Sequence, residues 1–116
     1  MQIHEAIEDG ATIVAVQGYI DTLSAAQFEG RLQQLIADGA RRVCIDCSAL
    51  SYVNSAGLKG FLVAAKELDA LGGRLVLCSM SPNVLSIFDM IGFTQIIPIV
   101  LTREEALERL RQPAAA

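Results

Sequence analysis

The chain has 116 residues, which suits one ordinary domain of ~100–150 residues, and 53% of them are apolar, so a substantial core can be buried. Aromatics make up 5% and Trp is absent, so that core must be built from Val, Ile, Leu and Ala. The formal net charge of −4 argues against a nucleic-acid partner, which calls for a basic stripe. Glu5, Glu8, Asp9, Asp21 and Glu29 all precede the first basic residue, Arg31; that end fits a basic or neutral partner, or is simply a solvated acidic face. The opening MQIHEAIEDG lacks a basic start and an apolar run, unlike a secretory signal. Stretches such as IIPIVL fall short of the ~20 residues a membrane helix needs. The expectation is a cytoplasmic protein with no membrane partner.

In chain order, QIHEAIE and TIVAVQGYI are β-type runs, and EDGA between them is a turn signal, so the two predict a hairpin. SAAQFEGRLQQLIADG predicts a helix, with Ser24 and Gln27 at capping-box spacing. Its apolar face is Phe28, Leu32, Leu35 and Ile36, and Gly39 suits a left-handed stop. Gly30 inside it suggests close packing. RRVCIDC is a short apolar strand of the kind covered on both faces. A second helix runs from Ser55 to Leu71, with Leu58, Phe61, Leu62, Ala65 and Leu68 as its stripe, and ends at Gly72 and Gly73. RLVLCS is a buried strand. Ser81 and Pro82 open a third helix whose inner face is Val84, Leu85, Phe88 and Ile91, with Gly92 as its stop. QIIPIV is a last strand, and Pro98 places it at an edge or strand end. Thr102 and Glu105 cap a terminal helix, and RQPAAA is a flexible tail from residue 112 on. The order β-β-α-β-α-β-α-β-α implies parallel pairing through right-handed crossovers. The fold is therefore α/β: a single mixed sheet, mostly parallel, with an antiparallel N-terminal edge hairpin and about four helices packed on it.

The motifs exclude more chemistry than they supply. Cys44 and Cys47 stand in a C-x-x-C spacing but on a strand, where they face opposite sides. With Cys78 they are an odd set of three and His4 is the only histidine, so a disulfide framework or a zinc site is not expected; they read as buried structural thiols. No cofactor or metal is called for, because G-x-x-x-x-G-K-[ST] and G-x-G-x-x-G are both missing.

Ligands of open α/β sheets sit beyond the carboxyl ends of the strands. GYIDTLS and ALSYVNSAG are two loops at such an end, and they would gather Asp21, Thr22, Ser24, Asn54 and Ser55 on one rim. Ser55 has no base to activate it, so an enzyme is not expected. One reading makes Ser55 or Asn54 a helix cap, with Gly57 and Gly60 allowing a close helix crossing. The other makes Ser55 a phosphorylation site: a phosphate there meets a helix N-terminus that favours negative charge, and Ala56, Gly57 and Gly60 admit a partner closely. Lys59 is a solvated residue on the same turn.

IDCSALSYVNSAGLKGFLVAAKEL resembles the signature segment of STAS domains, in particular of bacterial anti-sigma-factor antagonists. In that family a segment of the form D-x-S-x-L-x-x-[IVM]-D-S-[SAT]-G-L leads into a helix; Asp46, Ser48, Leu50, Val53, Ser55, Gly57 and Leu58 take those places here. GYIDTLSAAQFEGRL resembles its earlier segment through Gly18, Asp21, Ser24 and Ala25, and IFDMIGFTQIIPI resembles its late helix-to-strand segment. The resemblance implies a STAS domain over residues 1–111 that acts as a non-catalytic partner switch. It would bind an anti-sigma factor with serine kinase activity while unmodified, release it when Ser55 is phosphorylated from ATP, and be reset by a phosphatase. Asp21, Thr22, Ser24, Asn54, Ser55, Ala56, Gly57 and Lys59 would form the partner-binding site. One position departs: the residue before the serine is usually Asp in the family and is Asn54 here. That departure supports an alternative, a STAS scaffold or transport-linked subunit that is never phosphorylated.

Overall fold

In the computed structural model, which describes residues 1–112, eleven elements follow in order: β1 (Gln2–Glu8), β2 (Ala11–Ile20), α1 (Thr22–Ala37), β3 (Arg42–Asp46), β4 (Leu50–Val53), α2 (Ser55–Ala70), β5 (Arg74–Cys78), α3 (Pro82–Met90), a 3-10 turn (Phe93–Gln95), β6 (Ile99–Val100) and α4 (Arg103–Arg111). One six-stranded sheet has the order β1-β2-β3-β5-β6, with β4 pairing to β2. Only β1–β2 is antiparallel, with Glu8 opposite Ala11 across the tight turn. The other four pairings are parallel. The expected mixed sheet, its edge hairpin and four helices are all present. Of the expected tail, Gln112 follows α4 and is exposed; residues 113–116 lie outside the described residues.

Two cores form on the two faces of the sheet. Under α1, α2 and α3, the inner residues of the strands meet Phe28, Phe61 and Phe88. The three rings pack in series, with centroids 4.8 Å and 5.1 Å apart. On the other face Ala106, Leu107 and Leu110 of α4 cover Ala11, Ile13, Cys44, Val76 and Cys78. Cys44 and Cys47 therefore do serve opposite cores, as period-two alternation requires. The acidic first segment is largely neutralised by later arginines: Glu5 binds Arg31, Glu8 binds Arg103 and Asp9 binds Arg111.

Several local expectations are corrected. α1 begins two residues before Ser24. Asp21 is its N-cap and Ser24 is the third helical residue, because β2 ends at Ile20 and the Asp21 carboxylate is the first acceptor in reach of the free N–H groups. β4 was not anticipated. Its residues lack strict alternation, since Leu50 and Val53 are buried while Ser51 and Tyr52 are exposed, and its register on β2 shifts between Gly18 and Tyr19. The last strand is only two residues long, because Pro98 precedes it and the 3-10 turn takes up the segment before. On α2 the buried stripe is Leu58, Phe61, Ala64 and Leu68, with Leu62 and Ala65 only half-buried. On α3, Val84 and Phe88 are buried but Leu85 and Ile91 face out. Gly30 touches nothing: a Cβ there would meet open space.

Candidate functional site

β2 and β4 run side by side and end together, with Ile20 opposite Val53. Each strand turns at once into a helix. Asp21 and Asn54, both extended, are the N-caps of α1 and α2. Two helix N-termini thus open on the same rim, at the carboxyl end of the sheet, where the sequence placed them.

At α1, Ser24 N–H donates to Asp21 Oδ1 at 2.8 Å and Asp21 N–H donates to Ser24 Oγ at 2.9 Å. These bonds from Ser24, backbone first and then hydroxyl, hold the Asp21 carboxyl below its ordinary range. At α2, Gly57 N–H donates to Asn54 Oδ1 at 3.1 Å, and Asn54 Nδ2 donates to Thr22 Oγ1 at 3.1 Å. Asn54 N–H also donates to the Ile20 carbonyl at 3.0 Å, and Leu58 N–H to the Asn54 carbonyl at 2.9 Å. Asn54 is therefore the cap of one helix and the tie to the other. Among the described residues, no hydrogen bond engages the N–H groups of Ser55 and Ala56, the other donors of the first turn.

The cap role falls to Asn54, so the Ser55 hydroxyl is spared it. Ser55 is exposed at the first position of α2, and Lys59 is exposed one turn later. Asp21 and Thr22 are exposed, and Ser24, Asn54 and Ala56 are half-buried. Gly57 is different, because it is buried and faces inward. A Cβ on it would stand 2.6 Å from Val53 Cγ2 and 2.7 Å from Ile20 Cγ2. Gly60 similarly faces Phe28. These two glycines let α2 lie close to the strand ends and to α1; they do not open the rim to a visitor. Leu23, 85% exposed beside Thr22, was not singled out from the sequence. The available signal was an aliphatic residue on the polar side of a helix start.

Asp46 and Ser48 of the signature segment serve the frame. Ser48 N–H donates to Asp46 Oδ1 at 2.9 Å, and Arg103 Nη2 donates to Asp46 Oδ2 at 2.8 Å. Burial alone would raise the Asp46 carboxyl, but the Ser48 and Arg103 bonds outweigh it and hold it below its ordinary range. This ties the exit of β3, which leads to the rim, to α4 on the far face. Among the described residues, no group of three or more His, Cys, Asp or Glu is placed to hold a metal, and no helix is long and apolar enough to cross a membrane.

Residues 2–106 match the STAS domain family. The chain belongs to that family. BtrV of Bordetella bronchiseptica, provisionally named an anti-sigma factor antagonist, is 40% identical over 98 residues, covering 84% of each chain. The anti-sigma-B factor antagonist of Bacillus subtilis is 32% identical over 96 residues, covering 82% of this STAS chain and 86% of that protein. The fold matches Bacillus SpoIIAA in its unphosphorylated and phosphorylated forms, with TM-scores of 0.73 and 0.74 at 24% and 23% identity. Each alignment covers 95% of this chain, and 98% and 100% of the SpoIIAA chains. In this STAS domain Asn54 and Ser55 stand at the cap and the first position of α2.

Proposed function

We propose that this STAS domain is an anti-sigma-factor antagonist whose partner is an anti-sigma factor with serine kinase activity. The unmodified rim of Asp21, Thr22, Leu23, Ser24, Asn54, Ser55, Ala56 and Lys59 docks the partner. Phosphorylation of Ser55 releases it, and a phosphatase resets the switch. Gly57 contributes from beneath by seating α2. The observation that carries this reading is the exposed Ser55 hydroxyl at the first position of α2, left free because Asn54 supplies the cap. The names of BtrV and the Bacillus subtilis relative support the antagonist role, and SpoIIAA exists in a phosphorylated form on this fold.

Phosphate adds about −1.5 to −2 charge and three acceptor oxygens. At the start of α2 that charge meets the orphan N–H groups and the positive end of the dipole, so the domain keeps its fold. In an interface fitted to a neutral hydroxyl the same charge has to be desolvated. A cost of roughly 2.7 kcal/mol already weakens binding about a hundredfold. Incubating the chain with its kinase and ATP, then mapping peptides by mass, places the phosphate. Ser55→Ala keeps partner binding and abolishes incorporation, while Ser55→Glu weakens binding. Equal affinity of the two variants sinks the switch. Asn54 favours a second reading, a STAS scaffold that binds its partners without modification. No incorporation with an intact complex would select it.

A further inference from the structure

We propose that Cys44 and Cys78 form a redox-responsive pair closed beneath α4, and that lifting of α4 lets a hydroperoxide convert them to a disulfide joining β3 to β5. The proposal is independent of the Ser55 reading. It starts from placement. Cys44 lies opposite Val76, and Cys78 lies opposite Asp46, on neighbouring parallel strands. Both side chains face α4, and their sulfurs are 3.6 Å apart in hydrogen-bond contact. Disulfide formation needs about 2.05 Å between the sulfurs, and the two residues stand diagonally, two positions out of direct register, so closing the bond takes side-chain rotation and a backbone displacement of β3 against β5. Both residues are fully buried, so no oxidant reaches them while α4 is seated.

The cover is a short helix that packs on the sheet through one face. α4 buries Ala106, Leu107 and Leu110, whereas α2 buries six residues. Its polar ties to the rest of the domain are ion pairs from Arg103 to Asp46 and Glu8 and from Arg111 to Asp9, and a 2.9 Å bond that Arg74 Nη1 donates to the Arg109 carbonyl. A helix with few buried apolar contacts opens at lower free energy than the whole domain. While it is shut, Cys44 is kept protonated by its bond to Cys78 and by burial, the same bond draws the Cys78 thiol below its ordinary range, and full burial keeps an oxidant from both. Once it opens, one thiolate attacks the peroxide, the O–O bond breaks, and a sulfenic acid and an alcohol (water, from hydrogen peroxide) result. The second thiol then displaces water from the sulfenic sulfur. Two thiol hydrogens and two electrons leave the protein, and the hydroperoxide takes up both.

Cys47 supplies the internal control. It is also fully buried, but in the core under α1–α3, so it is exposed by global unfolding and not by departure of α4. The test treats the full chain with hydrogen peroxide, then cleaves before Asp46 to separate Cys44 from Cys47 under non-reducing conditions. The expected product is a Cys44–Cys78 bridged peptide and an intact mass lower by two hydrogens. In parallel, native-state alkylation labels Cys44 and Cys78 faster than Cys47. Leu107→Ala speeds labelling of the first two about tenfold or more and leaves Cys47 unchanged. Arg103→Gln, which keeps the apolar contacts, acts in the same direction and covers the case in which Leu107→Ala does not fold. Labelling of all three thiols at one rate, or oxygen addition without the bridge, overturns the proposal.

Discussion

Replacing Gly57 by Ala tests the frame of the site most directly, because Gly30→Ala makes the same chemical change with the opposite expected sign. At Gly57 the added methyl would lie 2.6 Å from Val53 Cγ2, 2.7 Å from Ile20 Cγ2 and 3.2 Å from Ile20 Cβ. Those neighbours are β-branched, buried and fixed on the ends of two paired strands, so they cannot rotate away and α2 must lift at its first turn. Overpacking of this kind costs about 1–3 kcal/mol, and the better helix propensity of Ala returns up to about 1 kcal/mol. A net loss of about 1–2 kcal/mol lowers the melting temperature of a domain this size by about 4–8 °C. At Gly30 a Cβ meets open space in the middle of α1, so only the propensity gain remains and the melting temperature rises by a few degrees. Thermal unfolding followed by circular dichroism measures both. A Gly57→Ala variant as stable as the parent would refute the claim that α2 is seated by this contact, and with it the account of how Ser55 is presented.

Asn54→Ala removes the Gly57 cap and leaves Thr22 without its donor, which costs about 1 kcal/mol; Asn54→Asp keeps an acceptor for Gly57 N–H and stays within a few tenths of a kcal/mol of the parent or gains slightly from the helix dipole. Chemical denaturation separates the two. Asp46 is held below its ordinary range in the folded state, so its contribution to stability is full above about pH 4, the unfolded Asp range, and is lost as pH falls through the lower folded value. Asp46→Asn therefore destabilises the domain at neutral pH and flattens the acid limb of its stability curve below about pH 4; an unchanged acid limb would remove Asp46 as its source.

Much of this architecture is legible because single residue types force it. The tight hairpin needs Gly10, helices stop where Gly39, Gly72 and Gly92 adopt positive φ, and Ser81 and Thr102 cap as expected, accepting from Val84 N–H at 3.3 Å and Glu105 N–H at 3.1 Å. The rim followed from the same logic, since strands that end together place their next residues together. What stayed hidden depends on neighbours distant in sequence. Two capping frames exist at the start of α1, and the point where β2 leaves the sheet selects Asp21. β4 is a strand only because an irregular stretch of β2 accepts it. Gly30 and Gly57 occupy similar helical contexts, yet one faces solvent and the other two strand ends. Leu85 and Ile91 continue the apolar pattern of α3 past the width of the core it covers.

The parallel register of β2 and β4 explains why a single charge at Ser55 would have opposite consequences inside and outside the chain. Because Ile20 and Val53 are paired, both helices start two residues later, and their positive ends converge. At α1 the ionised Asp21 answers that potential. At α2 the corresponding cap is the neutral amide of Asn54, already committed to Gly57 and Thr22, so the potential at the first turn of α2 has no anion to answer it. A phosphate on Ser55 would supply one, stabilising the helix start that carries it. The same group would project from an exposed position into whatever lies against Thr22, Leu23 and Lys59. An acid at position 54 would partly fill the role in advance and reduce the contrast between the two states of Ser55. On these electrostatics a neutral Asn54 would enlarge the difference between the two states of Ser55, if a kinase acts there, and would leave the rim uncharged if none does.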